Sequence, residues 1–541
     1  MKQLLYLLFS LLLSSCASRI APAGGDKDSS GPKVILANPD SGSIRFSTDR
    51  IELEFDEFIE LKDGGTGILF SPPLSQSVDY LIRKKNLRIK WNEELLPQTT
   101  YTLVIGKSVC DITESNPMAE YRYVFSTGDF LDSLKLTGSV RDAFSNLPLK
   151  DVVVALYESD ADSVPQKMLP RYFTRSKESG EFGIENIKQG SYTLLAFEDK
   201  NNDLKLQIPD ERIAFTSGAL SLDSINNAGG ILRVFSQEPD SIRLIDKKID
   251  KPGKISIQYS GIPETWTVTP DKGMDNAQLF YTLQAGSDSL TLWYPAQPQD
   301  TLRFFSDVSY KGAQKRDSIE LVYKSSGGRS KNKKTPVDTT FNIRVDEKAG
   351  KIINNGTLQF NWNIPVNQEL KKALQIFCNN DTFLLQNPVW NPSRLSASFE
   401  LPKCEGTFTV LVERGTFYDF TGRPNDSLRK DFNFLTDDDL GNLMLTVTTE
   451  NKKQNSYILE LLDDKGKTLQ QEYFSEARPF EFNKLVPGNY AFRIIEDADK
   501  DKKWSRGNWK TKTQPESVIY FKDKIEVRAG WDLELEWLME F

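Results

Sequence analysis

Residues 180–199 read GEFGIENIKQGSYTLLAFED, and residues 478–497 read RPFEFNKLVPGNYAFRIIED. In the first stretch Phe182, Ile184, Ile187, Gly190, Tyr192 and Asp199 mark a pattern. It returns at one constant spacing as Phe480, Phe482, Leu485, Gly488, Tyr490 and Asp497. Apolar residues at every second position put the apolar set on one face of an extended chain, which suits a half-buried strand. Glycine between two such runs supplies the turn that joins them. The chain therefore carries a β-hairpin unit twice, and the fold follows from what surrounds each copy.

Alternation continues outward in Ile51-Glu52-Leu53-Glu54-Phe55, Leu87-Arg88-Ile89-Lys90-Trp91 and Leu358-Gln359-Phe360-Asn361-Trp362. Pro and Gly clusters punctuate the runs at short intervals, as an all-β chain requires. A second repeat pairs Ile51, Leu53 and Phe55 with Leu358, Phe360 and Trp362. It also pairs Leu87 and Trp91 with Leu395 and Phe399, and Asp111-Ile112-Thr113 with Asp419-Phe420-Thr421. The spacing drifts by one residue along this repeat, as a single-residue loop change would produce. With roughly 100 residues per sandwich, the chain is expected to be all-β: tandem Ig-like β-sandwiches in the order A–B–C–A′–B′. The expected boundaries are A at 32–129, B at 130–234, C at 235–324, a linker at 325–336, A′ at 337–438 and B′ at 439–541. The C-terminal run Trp531 to Phe541 reads as the last strand of B′, its Trp and Leu face turned inward.

Two family resemblances attach to these residues. Unit A resembles bacterial Ig-like domains of the S-layer type, through the Pro39 segment ILANPDSGS, the strand IELEFDEFI, the segment LPQTTYTLVI and the closing FSTGD. Unit B is similar to carboxypeptidase-regulatory-like, transthyretin-like sandwiches. The carriers are Gly138, Val140, Asp142 and Pro148-Leu149, then Gly180, Phe182, Ile184, Gly190, Tyr192 and Leu194. B′ keeps only the later half of that pattern. These resemblances imply fold; such folds host many roles.

The N-terminus carries an address. Lys2 precedes an apolar run from Leu4 to Leu13, too short to span a bilayer as a stable helix. Leu13-Ser14-Ser15-Cys16 resembles a bacterial lipobox, which implies a lipoprotein signal peptide at 1–15 and acylation of Cys16, for instance with palmitate. Each lipid CH₂ buried adds about 0.8 kcal/mol, so several chains would hold the protein durably on a membrane. Residues 16–31, rich in Gly, Ser, Ala and Pro, suit a flexible tether. The expected location is the outer membrane of the cell envelope, with periplasmic and surface faces both open.

Composition narrows the chemistry. The net charge is −8 and the basic run Arg329 to Lys334 is short, so nucleic acid is not an expected partner. No histidine occurs in 541 residues, which excludes Ser-His-Asp and Cys-His nucleophile systems and His-ligated metals. Beyond Cys16 there are Cys110, Cys378 and Cys404. Cys378 and Cys404 fall in one predicted sandwich and could bridge in an oxidising compartment, or remain buried thiols.

Two acidic turns follow the repeated hairpin. Asp199, Asn201, Asp203 and Asp210 have the spacing of a calcium loop, as do Asp497, Asp499 and Asp501. Against calcium, position 6 is Leu204 where Gly is usual, position 12 of the second copy is Asn508, and Lys500, Lys502 and Lys503 crowd it. The favoured reading of both is a solvated turn leaving a core strand, where Asp and Asn are at home. Calcium here would be structural, and no other cofactor is expected. The carboxylates Glu52, Glu54 and Asp56 could suggest a glycosidase pair, but alternation places them on a solvated face. Two functions remain. One is a non-enzymatic binding or scaffold lipoprotein whose partner is an envelope protein or glycan. The other is a carbohydrate-binding or carbohydrate-active accessory lipoprotein of a surface uptake system, with Trp504 and Trp509 stacking on sugars.

Overall fold

The computed structural model describes residues 28–540, apart from 66, 209, 224–227, 252, 272–279, 284–286, 295–300, 323–340, 347–350, 354–355, 403–405 and 450–454. Cys16, the signal peptide, most of the tether, the 325–336 linker and Cys404 lie outside the described residues. The fold is all-β, and no sheet among the described residues closes on itself. No helix among them is long and apolar enough to cross a membrane. Five large hydrophobic cores follow one another along the described chain, each built from alternating strand residues. The chain divides into two compact units. The first holds the A and B cores; the second holds the C, A′ and B′ cores together with the short segments Asp142–Asn146 and Ile208–Arg212.

In the first unit, strand Arg50–Phe55 buries Ile51, Leu53 and Phe55 completely while Arg50, Glu52 and Glu54 face outward. It pairs antiparallel with Asn86–Lys90, placing Leu53 opposite Leu87 and Ile51 opposite Ile89. Trp91 anchors this core with Phe70 and Phe125, ring centroids 5.7 and 6.1 Å away. Sandwich B sets the strands Leu134–Asp142 and Glu181–Ile187 in one sheet and Val153–Tyr157 and Gly190–Phe197 in the other. The glycine that opens the diagnostic stretch has a strict reason. Gly180 adopts φ +78, and a Cβ there would sit 2.5 Å from the Val140 carbonyl oxygen. The two sandwiches share direct contacts: Arg122 pairs with Glu185 at 2.6 Å, and Arg171 donates to the Thr99 hydroxyl at 3.0 Å.

In the second unit the duplication is visible bond by bond. Leu445 pairs with Phe480 and Leu443 with Phe482, as Gly138 pairs with Phe182 and Leu136 with Ile184. Tyr192 donates its hydroxyl to the Lys188 carbonyl, and Tyr490 does the same to Val486. The last strand, Asp532–Met539, runs parallel to Gly441–Thr449 and turns Trp537 and Met539 into the core, although Trp531 just before it stays 59% exposed. Segment C forms its own two-sheet sandwich around Tyr259, Trp266 and Phe304.

The A repeat corrects one alignment. Leu358 pairs with Phe399 and Phe360 with Ala397, so Ala397 and Phe399 are the register counterparts of Leu87 and Ile89, where the sequence pairs Leu87 with Leu395. The slip is two residues and keeps every side chain on its own face, so alternation cannot reveal it.

The recurring Asp-x-Thr is structural. Asp111 is buried and accepts backbone N–H bonds from Glu114 at 2.6 Å, Asn116 at 2.8 Å and Ser115 at 3.1 Å. Asp419 is fully buried and closes the matching turn through Thr421 and Arg423. Burial acts to raise the Asp111 carboxyl, but the N–H bonds of Glu114, Asn116 and Ser115 outweigh it and hold the group below its ordinary value. A depressed folded pKa contributes stability above the unfolded value and loses it as pH falls through the folded one. Acid unfolding monitored by tryptophan fluorescence is therefore expected to set in below about pH 4. Asp111→Asn, which keeps an acceptor oxygen, should lessen the pH dependence of domain A in that range.

Candidate functional site

The two acidic turns leave equivalent strands, Gly190–Phe197 and Gly488–Asp497, and share one backbone path. Asn202 and Leu204 adopt left-handed φ values of 60 and 56, and Lys500 and Lys502 take 62 and 65. A residue with a Cβ, such as Leu204, ordinarily resists that conformation. It adopts it because Asp199 Oδ2 accepts the Leu204 N–H at 3.2 Å, which fixes the turn locally.

The side chains of the two turns differ. In the first, Asp199 is held by protein groups: Oδ1 accepts from the Asp203 N–H at 3.1 Å, and Oδ2 accepts from Arg175 Nη2, also at 3.1 Å. Arg175 donates at 2.9 Å to Asn202 as well, so its guanidinium is a built-in cation for this turn. Asp203 accepts from Asn201 Nδ2 at 3.0 Å and Gln207 Nε2 at 2.8 Å. Asp210 belongs to the second compact unit and pairs there with Arg243 at 2.7 Å, its side chain 59% exposed.

In the second turn Asp497, Asp499 and Asp501 bring one ligand oxygen each within 4.8 Å of one another. Asp497 is 3% exposed; its Oδ2 accepts from the Lys502 N–H at 3.2 Å, while Oδ1 is buried with no hydrogen-bond partner. Ser505 donates its hydroxyl to Asp499 at 2.6 Å, and this bond holds the Asp499 carboxyl below its ordinary value. Glu516 closes the loop from behind, accepting from the Ala498 N–H at 2.7 Å and the Ser505 N–H at 2.9 Å. Burial, with the Asp499 charge adding to it, pushes the Glu516 carboxyl up. Asn508, the sequence candidate for position 12, is spent on the N–H groups of Lys510 and Thr511.

Sequence spacing missed Arg175 and Glu516. Arg175 is delivered by a neighbouring strand, where the signal lay in strand pairing, and Glu516 by the loop that leads into strand Val518–Tyr520. Phe197 and Arg175 both pair with Val153; Ile495 and Tyr473 both pair with Ile458. Tyr473 thus stands where the first copy has Arg175.

The tryptophans of the second turn are not an exposed sugar platform. Trp509 is 3% exposed, and its backbone N–H donates to the Gln237 side-chain oxygen at 3.2 Å. Trp504 is half-buried, bonds the Glu516 carbonyl through its indole N–H at 3.0 Å, and packs on Phe144. Glu52, a candidate acid, is paired with Arg88 at 2.8 Å on a solvated face. The first unit also contains an open cleft of about 1070 Å³, lined by Lys107, Arg122, Lys150, Arg175, Asp63 and Glu178 among others. Lys150 and Glu178 pair with each other there. Cys378 is disulfide-bonded, while Cys110 is buried and free, its thiol pushed up by burial.

No curated protein sequence matches the chain. Among solved structures it is similar to the major pilin subunit of Bacillus cereus, at 10% identity over 75% of this chain and 99% of that one, with a TM-score of 0.16. It is also similar to the S-layer protein rSbsC(31-844), at 11% identity over 86% and 65% of the two chains, TM-score 0.14. Domains A168–A170 of titin match at 11% identity over 54% and 97%, TM-score 0.14. Scores this low establish no common whole-chain arrangement. Sequence is more specific for one part: residues 28–127, the segment that holds the first core, match the family of bacterial Ig-like domains.

Proposed function

We propose that this chain is a lipid-anchored cell-envelope protein that works by contact, as a string of Ig-like sandwiches binding an envelope protein or glycan, without catalysing a reaction. The observation that carries the reading is the serial arrangement of five separate β-cores behind a lipobox-like Leu13-Ser14-Ser15-Cys16. The lack of histidine supports it. So does the pairing of Glu52 with Arg88, since an acid held in an ion pair is poorly placed to transfer a proton. Cys16 would hold the lipid, the outer membrane would be the site of anchoring, and the following Gly- and Ser-rich residues would give the sandwiches reach.

Cys16→Ser is expected to move nearly all of the protein from the membrane to the soluble or unprocessed fraction, read by fractionation and intact mass. A Cys16→Ser protein that stays in the same membrane fraction would remove the anchor. A pull-down from native membranes should then return a stable protein complex. Glycan binding abolished by Trp504→Ala would instead favour the carbohydrate-accessory role.

A further inference from the structure

We infer that the turn Asp497–Ser505 of the last sandwich is a calcium site, and that its twin at Asp199–Gln207 is the same turn with an arginine in place of the ion. The inference rests on two independent features of the second turn. Three carboxylates converge within 4.8 Å, and among the described residues no ion pair reaches any of them. Asp497, at 3% exposure, has one oxygen buried without a hydrogen-bond donor. A buried carboxylate oxygen without a partner is costly, and a cation supplied from solution removes that cost.

The first turn identifies the kind of partner that is missing. There the equivalent carboxylate, Asp199, receives the Arg175 guanidinium at 3.1 Å. At the register-equivalent position of the second copy stands Tyr473, which is 43% exposed and donates its hydroxyl to Gln471. The substitution deletes the internal positive charge while the loop keeps its path and gains acid, Asp499 standing where the first copy has Asn201. Lys502 is the nearest replacement in sequence, but its ammonium lies over the Tyr473 ring at 5.3 Å. An all-oxygen set with neither His nor Cys suits a hard cation, and three carboxylates on one adaptable loop favour Ca²⁺ over Mg²⁺, which demands a near-ideal octahedron.

The site has a structural consequence within the second unit. The loop it would order carries Trp504 onto Phe144 and sets Gly507 against Phe235, where a Cβ would come within 2.5 Å of the ring. Calcium would therefore stiffen the contact between the last sandwich and the residues that open segment C.

The full chain in detergent should bind one Tb³⁺, excited through tryptophan, and release it to Ca²⁺. Asp499→Asn and Asp501→Asn, both at exposed positions, should each weaken Ca²⁺ binding at least tenfold with an unchanged circular dichroism spectrum. Tyr473→Arg should abolish binding, and Asp203→Asn in the first turn should leave it intact. Absence of saturable binding by roughly 10 mM Ca²⁺, or binding indifferent to Asp499→Asn and Asp501→Asn, would overturn the site. Loss of binding in Asp203→Asn would place the ion in the first turn and overturn the arginine-for-calcium relation.

Discussion

Arg493→Ala is expected to destabilise the C-terminal sandwich by about 3–5 kcal/mol, because it strands a buried carboxylate. Arg493 and Glu460 face each other on the adjacent strands Gly488–Asp497 and Ser456–Leu462, their side chains only 8% and 7% exposed. Arg493 Nε donates to Glu460 at 2.6 Å, and Glu460 also accepts from Gln471 at 3.0 Å. The guanidinium has a second task. It lies 4.2 Å from the centre of the Phe144 ring and donates to the Tyr520 hydroxyl at 3.2 Å, which in turn donates to the Phe144 carbonyl. Truncation would thus loosen the seat of segment Asp142–Asn146 as well. Hydrogen exchange on the two strands is the appropriate readout, since a chain of several domains has no single unfolding free energy. Arg493→Met with Glu460→Leu should recover most of the loss, because a pair removed together leaves no buried charge. A change below about 1 kcal/mol in Arg493→Ala would mean that water reaches Glu460.

The second large effect is expected in domain A. Trp91→Ala should cost about 3–5 kcal/mol, the range for emptying a large aromatic from a packed core. Trp91 is 2% exposed and sits among Phe46, Phe70 and Phe125, so its removal leaves a cavity bounded by rings that cannot all collapse inward. Trp531→Ala, at a residue 59% exposed, is the matched control and should change stability by no more than about 0.5 kcal/mol. Denaturant unfolding followed through hydrogen exchange of strand Arg50–Phe55 separates domain A from the rest of the chain.

Much of the architecture is legible in the residues because a strand exposes its period directly. Ile51, Leu53 and Phe55 had to share a face, and all three are fully buried. Phe182 and Phe480, Tyr192 and Tyr490, and Gly190 and Gly488 repeat in order, and each pair occupies the same register in its sheet. The tail strand followed the same rule from Leu533 to Met539 but not at Trp531, which precedes the strand and escapes its alternation. The acidic turns were legible as turns, because Asp and Asn bond their own backbone. Their chemistry was not, since the groups that decide it come from elsewhere.

By itself, then, the sequence determined the all-β class, the doubled hairpin unit, the faces of its strands, and the exclusion of histidine chemistry, because each of these is set by local spacing or by composition. Tertiary structure alone decided which strands lie side by side. That put Ala397 and not Leu395 across from Phe360, and brought Arg175 to Asp199 across 24 residues while the second copy carries Tyr473 at the matching register. The physical reason is the same in both cases. A two-residue slip, or a change of neighbour, leaves the alternation of a strand untouched, yet it changes every partner its side chains meet.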